Sequence, residues 1–217
     1  MTSVEYLGKY QLTQSDACFK LGRDSVLLAG FCTLRPKWTV CDLGCGVGSL
    51  LLLTAQREEN LTRVGIELDP TAAALARKNL ADNALSGTIL TGDLREKSLL
   101  RGDQFHLVLS NPPYFRAGSG KSGGQARMDD TCSVLDLCQT AGRLTRTGGR
   151  FALAYRPERL AELFAALQKA RLEPKRMQLL SYHRTKAPYA VLVEAVKEGG
   201  PGLDILPTHY QTEDRLT

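Results

Sequence analysis

The stretch "TVCDLGCGVGSLLLLTAQR", residues 39–57, decides the fold that this sequence predicts. Its first residues are β-branched and apolar, and they predict a buried strand that ends in a turn at Gly44 and Gly46. The leucine run that follows predicts a helix over residues 48–57. A strand that passes through a glycine-rich turn into a helix is the first half of a parallel βαβ unit.

Strands and helices alternate along the rest of the chain. Further strands are predicted at 63–69, 88–93, 105–113, 150–156, 176–182 and 189–196, and further helices at 70–82, 130–144 and 157–170. Alternation of this kind predicts an α/β fold, a Rossmann-like doubly wound sheet of seven strands with helices on both faces. The loop at 183–188 is too short for a helical crossover, so we expect a mostly parallel sheet with an antiparallel last strand.

Three segments follow from this pattern. Residues 1–38 form an N-terminal lead-in with a short element and a helix, residues 39–197 form the α/β domain, and residues 198–217 form a polar C-terminal segment. No apolar run approaches the roughly 18 residues that a membrane span needs. The N-terminus has no apolar signal core, so we expect a cytoplasmic protein.

The six cysteines and three histidines give no sign of a metal site. No two cysteines form a C-x-x-C pair, and the histidines lie far apart in the sequence. Buried, reduced thiols are the usual state of such cysteines in a cytosolic protein. We expect no metal and no disulfide framework.

The net charge of +5 is unevenly distributed. Residues 143–186 contain 11 Lys and Arg residues but only three acidic residues, whereas residues 1–142 contain 15 of each. Clustered positive charge favours a polyanionic partner, although a solvated surface rich in arginine gives the same pattern. Within this basic block, Arg184 and Lys186 lie in the loop between two strands and are the first candidates for phosphate contacts.

The glycine turn after the first strand predicts a bound cofactor. Gly44 and Gly46 leave bare backbone for a ligand to approach. The spacing is G-x-G-x-G, and Ser49 stands where the dinucleotide fingerprint has its third glycine, which disfavours NAD. Glu67 ends the second strand, where a carboxylate can accept both hydroxyls of a ribose.

Polar residues end four successive strands of the predicted sheet. They are Asp42, Glu67, Asp93 and Asn111. Ligands of open α/β sheets bind beyond the carboxyl ends of the strands, although polar residues are common at strand ends in any case. This acidic rim suits a cofactor with a ribose, a cationic centre, no phosphate, and an adenine held by Asp93 and the Leu94 backbone. S-adenosylmethionine has these parts. The candidate cofactor-binding residues are Asp24, Asp42, Leu43, Gly44, Cys45, Gly46, Gly48, Glu67, Leu68, Asp93, Leu94 and Asn111.

The sequence "SNPPYF", residues 110–115, indicates the reacting groups. Its prolines end the strand, because proline has no N–H for the ladder. The candidate catalytic residues are Asn111, Pro112, Pro113 and Tyr114. The Asn111 side-chain oxygen and the Pro112 carbonyl are two hydrogen-bond acceptors at the end of this strand, and consecutive prolines hold that carbonyl in place.

Aromatic and basic residues next to this motif are candidates for substrate binding. Tyr114 offers a flat face on which a base can stack, and Phe115 either closes the other side or packs. The glycine-rich stretch 116–128 follows directly. The complete set of substrate-binding candidates is Tyr114, Phe115, Arg116, Lys121, Arg127, Arg184 and Lys186.

Four motifs, "CDLGCGVG", "GIELDP", "GDL" and "SNPPYF", together resemble those of class I S-adenosylmethionine-dependent methyltransferases over roughly residues 39–196. In that class, N-P-P-Y is typical of enzymes that methylate adenine N6, cytosine N4, guanine N2 or glutamine N5. The resemblance implies that the Asn111 oxygen and the Pro112 carbonyl accept the N–H bonds of such an amine, which must pyramidalise before it attacks a methyl group. The stretch "YQLTQSDACFKLGRDSVLLAGF" is similar to the lead-in of the bacterial tRNA1(Val) adenine-37 N6-methyltransferase family. That family has Gly-Thr-Asp where this chain has Gly22-Arg23-Asp24, so a contact through threonine is not expected here.

The resemblance implies an enzyme that methylates the N6 amine of an adenine in tRNA, with adenine 37 of the anticodon loop as the target. Alternatives are a guanine-N2 rRNA methyltransferase, a DNA amino methyltransferase, or a release-factor glutamine-N5 methyltransferase. The short lead-in disfavours the last of these, whose members carry a longer N-terminal helical domain. The alternative that is not an enzyme is a cofactor-binding module that interacts with RNA. We expect a monomer or homodimer.

Overall fold

The computed structural model describes residues 1–112 and 132–211. The strands in chain order are β1 (Thr2–Leu7), β2 (Tyr10–Ser15), β3 (Thr39–Leu43), β4 (Thr62–Glu67), β5 (Thr88–Thr91), β6 (Phe105–Ser110), β7 (Thr145–Tyr155), β8 (Leu172–Ser181), β9 (Ala190–Lys197) and β10 (Asp204–Tyr210). The helices are α1 (Arg23–Phe31), α2 (Ser49–Arg57), α3 (Pro70–Asp82), α4 (Val134–Leu144) and α5 (Leu160–Lys169), and a 3-10 turn at Pro157–Arg159 precedes α5.

Eight of these strands form one sheet, in the order β10-β8-β9-β7-β6-β3-β4-β5. The strands from β5 to β7 in this order are all parallel, so their carboxyl ends lie along one edge. β9 is antiparallel to both β7 and β8. β8 therefore runs in the same direction as β7, and its carboxyl end lies along the same edge as theirs.

The sheet is covered by a separate apolar core on each face. Neighbouring residues of one strand point to opposite faces, so Leu107 packs with α1, α2 and α3 on one side, whereas Val108 packs with α4 and α5 on the other. Both side chains are fully buried. A strand that is apolar on both faces is typical of a doubly wound parallel sheet, which confirms the predicted fold class.

The number of strands differs from the prediction. The sequence predicts seven strands and a polar segment over 198–217, but the sheet has eight, because β10 lies within that segment and pairs in parallel with β8. Consequently the antiparallel strand, β9, is internal rather than last. The segment 198–217 is largely polar, and β10 contains Pro207, which normally argues against a strand. An edge strand tolerates proline, and here the register shifts between Leu206 and His209.

The lead-in contains a β-hairpin that the sequence analysis missed. β1 and β2 pair through a two-residue loop in which Gly8 has a φ of +56°. Asn79 of α3 binds both main-chain groups of Thr13 in β2. Its Oδ1 accepts from the Thr13 N–H at 2.9 Å, and its Nδ2 donates to the Thr13 carbonyl at 2.9 Å. The helix predicted in the lead-in is α1. The domain limits at residues 39 and 197 stay a prediction.

All six cysteines are buried and unbridged. Burial raises the pKa of the Cys132 thiol to about 11 and that of Cys138 to about 12. Within the described part of the chain, no helix is long and apolar enough to span a membrane.

Candidate active site

The turn between β3 and α2 is built from glycines in left-handed conformations. The φ angles are +71° at Gly44 and +53° at Gly46, which side chains rarely adopt. The Gly44 and Cys45 N–H groups both donate to the Ile66 carbonyl of β4, at 2.9 and 3.0 Å. A Cβ atom at either glycine would meet no heavy atom within 4 Å. The turn is thus pinned to the sheet and bare on its outer side.

A cavity of about 620 Å³ lies against this turn, along the carboxyl edge of β3, β4, β5 and β6. This volume is within the range of small-molecule and cofactor sites. The structure brings together at its wall many of the residues predicted to bind cofactor or act in catalysis. These are Asp24, Asp42, Gly44, Cys45, Gly46, Glu67, Leu68, Asp93, Leu94, Asn111 and Pro112.

Two predicted cofactor residues lie outside this wall. Leu43 is buried within β3, and its carbonyl accepts a hydrogen bond from the Ser110 hydroxyl at 2.9 Å. Gly48 precedes α2 with a φ of +85°, and a Cβ there would lie 3.4 Å from that of Ala76. Leu43 joins β3 to β6, and Gly48 lets α2 approach α3, while their predicted contact with the cofactor stays a prediction.

The Asp42 carboxylate is the most unusual group in the cavity wall. Its residue is only 1% exposed, and neither carboxylate oxygen has a hydrogen-bond partner among residues 1–112 and 132–211. Burial, with a smaller contribution from the nearby charge of Glu67, raises the pKa of Asp42 to about 8. A buried carboxylate without a partner is costly, so this position is suited to a ligand that carries positive charge or hydrogen-bond donors.

Glu67 is held in place by main-chain groups. Its Oε2 accepts from Gly46 N–H at 2.7 Å, and its Oε1 accepts from Asp69 N–H at 2.9 Å. Each carboxylate oxygen has a second lone pair, so the group can still accept bonds from a ligand. The predicted contact with a ribose stays a prediction, and the structure adds that Glu67 links the glycine turn to the end of β4.

Asp93 at the end of β5 is paired with Arg95. The Arg95 Nε lies 3.0 Å from both Asp93 oxygens, and this hydrogen-bonded partner lowers the pKa of Asp93. Leu94 is buried next to it and also lines the cavity. The pair fixes the direction of the carboxylate at the rim, where the sequence predicts an adenine.

Asn111 is held by a residue that the sequence analysis did not single out. Its Nδ2 donates to the Ser25 hydroxyl of α1 at 2.9 Å, and Ser25 is itself buried. The nitrogen end of the amide therefore faces Ser25, and the role of its oxygen as an acceptor for the substrate stays a prediction. Pro112 is buried beside it and lines the cavity. Pro113 and Tyr114 lie outside the described residues.

The lead-in supplies one wall of the cavity, which the sequence predicted only at Asp24. Burial raises the pKa of Asp24, and a hydrogen bond from the Tyr189 hydroxyl opposes that shift. The remaining lead-in residues in the wall are Cys18, Phe19, Lys20, Leu21, Gly22 and Ser25. Gln14 of β2 accepts from Leu21 N–H, so the hairpin holds this segment in place. In the sequence, only the Gly22-Arg23-Asp24 motif indicated that the lead-in contributes to the cavity. The role of Ser25 depends on tertiary contacts alone.

The basic block does not form a single surface. Arg150 and Arg176 pair with the buried Glu194 inside the fold, at 2.9 and 3.7 Å. Arg184 and Lys186, in contrast, are exposed in the β8–β9 loop at the carboxyl edge of the sheet. The other substrate-binding candidates, Phe115, Arg116, Lys121 and Arg127, lie outside the described residues, as does Tyr114. Within the described ranges, no group of three or more His, Cys, Asp or Glu side chains is placed to hold a metal ion.

The cavity fits the cofactor that the sequence predicts. The glycine turn leaves room for a ligand against the backbone, and the unpartnered Asp42 carboxylate gives its cationic part a counter-charge. Asp42, Glu67 and Asp93 line this half of the cavity, which disfavours a phosphate-bearing ligand. S-adenosylmethionine matches both the charge and the shape of this wall.

Comparison with known proteins places the chain among methyltransferases. Residues 20–170 match the methyltransferase small domain family. The tRNA1(Val) (adenine(37)-N6)-methyltransferase of Porphyromonas gingivalis is 31% identical over 205 residues, which are 89% of this chain and 80% of that protein. The protein of the same name from Dickeya chrysanthemi is 35% identical over 159 residues, 70% of this chain and 62% of that protein. Among solved structures, a predicted O-methyltransferase from Agrobacterium tumefaciens shares the fold, with a TM-score of 0.72, 24% identity and 86% of each chain covered.

Proposed function

This chain belongs to the methyltransferase small domain family, and on that premise we propose that it transfers a methyl group from S-adenosylmethionine to the N6 amine of an adenine in tRNA. The proposed target is adenine 37 of the anticodon loop, the position named for the relatives from Porphyromonas gingivalis and Dickeya chrysanthemi. The observation that carries the proposal is the placement of the Asn111 amide, oriented by Ser25, in the wall of the same cavity as the glycine turn.

The chemistry of an adenine amine explains why this asparagine is needed. The amine lone pair is delocalised into the ring, so the nitrogen must become pyramidal before it can react. The Asn111 oxygen accepts one N–H bond, and the Pro112 carbonyl is the proposed acceptor for the other. When bound, S-adenosylmethionine supplies an electrophilic methyl group. The chain contributes position and hydrogen bonds, and in-line alignment accounts for most of the rate.

The part of the cavity lined by Asp42, the glycine turn, Glu67 and Asp93, which we call the cofactor half, holds and orients S-adenosylmethionine. Gly44 and Gly46 admit it against the backbone, Asp42 balances its positive charge, and Glu67 is placed for its ribose. None of these groups has to move a proton during methyl transfer. The methylated nitrogen becomes acidic and loses its proton afterwards to solvent.

A test of the function uses cells that lack this protein. Nucleoside mass spectrometry of their tRNA and rRNA is expected to show loss of one N6-methyladenosine from tRNA. Re-expression of the wild-type chain, but not of Asn111→Ala, should restore it. Loss of a methylguanosine would instead favour a guanine-N2 enzyme, and unchanged nucleic acids with loss of methylglutamine would favour a protein substrate.

The purified protein provides the second half of the test. Wild-type protein should incorporate methyl groups into an unmodified tRNA transcript, and a transcript with guanine at position 37 should not react. Binding of S-adenosylmethionine without transfer to any RNA would favour a binding module. A tRNA substrate implies action in the cytoplasm, and a monomer or homodimer stays the predicted state, which light scattering would check.

A further inference from the structure

Aromatic and cationic side chains lie together at the carboxyl edge of the sheet, outside the cavity. The rings of Tyr182 and Tyr189 in the β8–β9 loop stack with their centroids 4.4 Å apart and their planes 26° apart. In the same loop, the Arg184 guanidinium lies over the Tyr210 ring of β10, 5.6 Å from its centroid. Lys186, which lies between Arg184 and Tyr189 in the sequence, is exposed. We call these five residues the tyrosine surface.

Two features of the tyrosine surface argue against a purely structural role. Tyr182 is 55% exposed although its ring is large and apolar, so packing against Tyr189 buries only part of it. The β8–β9 loop, residues 182–189, contains Arg184 and Lys186 and no acidic residue. The cavity wall, in contrast, contains the acidic residues Asp42, Glu67 and Asp93.

The tyrosine surface is connected to the reacting groups through the first turn of α1. Tyr189 lies beside Asp24, whose pKa it lowers against the effect of burial, and its hydroxyl accepts from Gln211 Nε2 at 3.1 Å. The next residue, Ser25, accepts the bond from Asn111 at 2.9 Å. Adjacent Cα atoms are about 3.8 Å apart. The β8–β9 loop and Asn111 thus both contact the first turn of α1, at the carboxyl edge of the sheet.

The combination of exposed aromatic rings and cations is the chemistry that binds single-stranded nucleic acid. Bases stack on aromatic rings in a way that tolerates any sequence, and cations contact the phosphates. We propose that the tyrosine surface binds the nucleotides that flank the target adenine in an RNA loop. A base stacks on Tyr182, and Arg184 and Lys186 contact backbone phosphates. This inference rests on the proposed function, because it takes the substrate to be RNA.

The first test compares Tyr182→Ala with Tyr6→Ala. Tyr6 lies on the β1 strand of the hairpin and is 75% exposed, so it controls for loss of an exposed ring. With a fluorescent anticodon stem-loop RNA and saturating S-adenosylhomocysteine, Tyr182→Ala should bind at least about fivefold more weakly than wild type. Tyr6→Ala and the ring-retaining Tyr182→Phe should bind within twofold of wild type.

The second test uses salt to count the phosphate contacts. Each of Arg184→Ala and Lys186→Ala should lower the slope of log Kd against log salt by about 0.7, the value for one contact to a single strand. Arg101→Ala is the matched control, since Arg101 is exposed before β6 at the opposite edge of the sheet, and its slope should equal that of wild type. For all variants, binding of S-adenosylhomocysteine and the melting temperature should stay unchanged, which shows that they fold.

Two results would overturn the inference, and they are distinct. If wild-type protein methylates the tRNA transcript but Tyr182→Ala and Arg184→Ala match their controls in affinity, slope and KM, the tyrosine surface does not bind RNA and the proposed function stands. If wild-type protein methylates a protein substrate and no RNA, both proposals fail. Support requires a raised KM for the transcript with little change in kcat.

Discussion

The two halves of the carboxyl edge hold their functional groups in different ways. In the cofactor half, main-chain N–H groups of the glycine turn donate the bonds, from Gly44 to the Ile66 carbonyl and from Gly46 to the Glu67 carboxylate. In the substrate half, which contains Asn111 and the β8–β9 loop, a side chain holds a side chain, as where the Ser25 hydroxyl accepts from the Asn111 amide at 2.9 Å. The cofactor half is acidic at its wall, and the substrate half carries cations.

Because of this difference, substitutions in the two halves should affect different properties, cofactor binding in one and turnover in the other. Main-chain bonds survive most changes of side chain, so the cofactor half should respond chiefly to residues that alter backbone conformation or buried charge. Side-chain bonds vanish with a single substitution. The substrate half should therefore lose turnover through small changes while cofactor binding persists.

The largest effect is expected for Asn111→Ala. Removing the acceptor for the reacting amine should lower kcat for a tRNA transcript by about 100-fold or more, the size seen when one preorganised hydrogen bond to a transition state is lost. Calorimetry should give an affinity for S-adenosylmethionine within a few fold of wild type. Asn60→Ala, at an exposed asparagine before β4, is the matched control and should retain full turnover. Turnover near that of wild type for Asn111→Ala would contradict the proposal that Asn111 accepts a hydrogen bond from the reacting amine.

The next largest effect should follow from Gly44→Ala, which tests the main-chain half. The new methyl group points into open space where the cofactor is proposed to lie, so affinity for S-adenosylmethionine should fall at least about tenfold. A side chain in the left-handed region also costs about 1–2 kcal/mol of stability. Gly148→Ala separates these effects, because Gly148 has a φ of +73° and open space around its Cβ position but lies in the amino-terminal part of β7. Gly148→Ala should lower the melting temperature by a similar amount and bind the cofactor normally. Equal affinities of the two variants for S-adenosylmethionine would contradict a cofactor bound against the Gly44 backbone.

The third prediction concerns pH and Asp42. Because its pKa is raised to about 8, the folded protein without cofactor binds this proton more tightly than the unfolded chain does. The associated stability is present below the usual pKa near 4 and is lost as the pH rises through about 8. A cationic ligand favours the ionised form, so its binding should release a proton and tighten by up to about tenfold per pH unit between pH 6 and 8.

The released proton can be counted directly. Calorimetric titration of S-adenosylmethionine at pH 7, in two buffers that differ in ionisation heat, should show close to one proton released by wild type and none by Asp42→Asn. The affinity of Asp42→Asn should also be flat over the same pH range. Equal proton release by the two proteins would show that another group titrates.

The smallest effect is expected for Ser25→Ala, which leaves Asn111 in place but removes its orienting partner. One hydrogen bond of about 0.5–1.5 kcal/mol corresponds to a two- to tenfold fall in kcat, with the KM for tRNA and the cofactor affinity nearly unchanged. In the double variant with Asn111→Ala, the Ser25 substitution should have no further effect on kcat. Additive losses would mean that Ser25 acts independently of Asn111.

Much of the fold follows from local sequence. The seven strands predicted between residues 39 and 196 all occur, because apolar runs and their period are set by neighbouring residues. The hairpin and β10 were missed for physical reasons. β10 lies in a largely polar segment and contains Pro207, and it is stabilised as a strand only by pairing with β8. The hairpin likewise depends on Asn79, which is distant in sequence.

The sequence by itself determined the glycine turn, the acids at the strand ends and the Asn-Pro-Pro motif, since each is a run of adjacent residues whose backbone preferences and chemistry are local. Only the tertiary structure decided that Ser25, 86 positions before Asn111, holds the Asn111 amide. It alone also decided that Tyr182 and Arg184 lie at the same edge and that the half-buried Arg150 and Arg176 pair with the buried Glu194. The physical reason is that the direction of each strand and the packing of α1 on the sheet bring these groups together, and no local pattern encodes that arrangement.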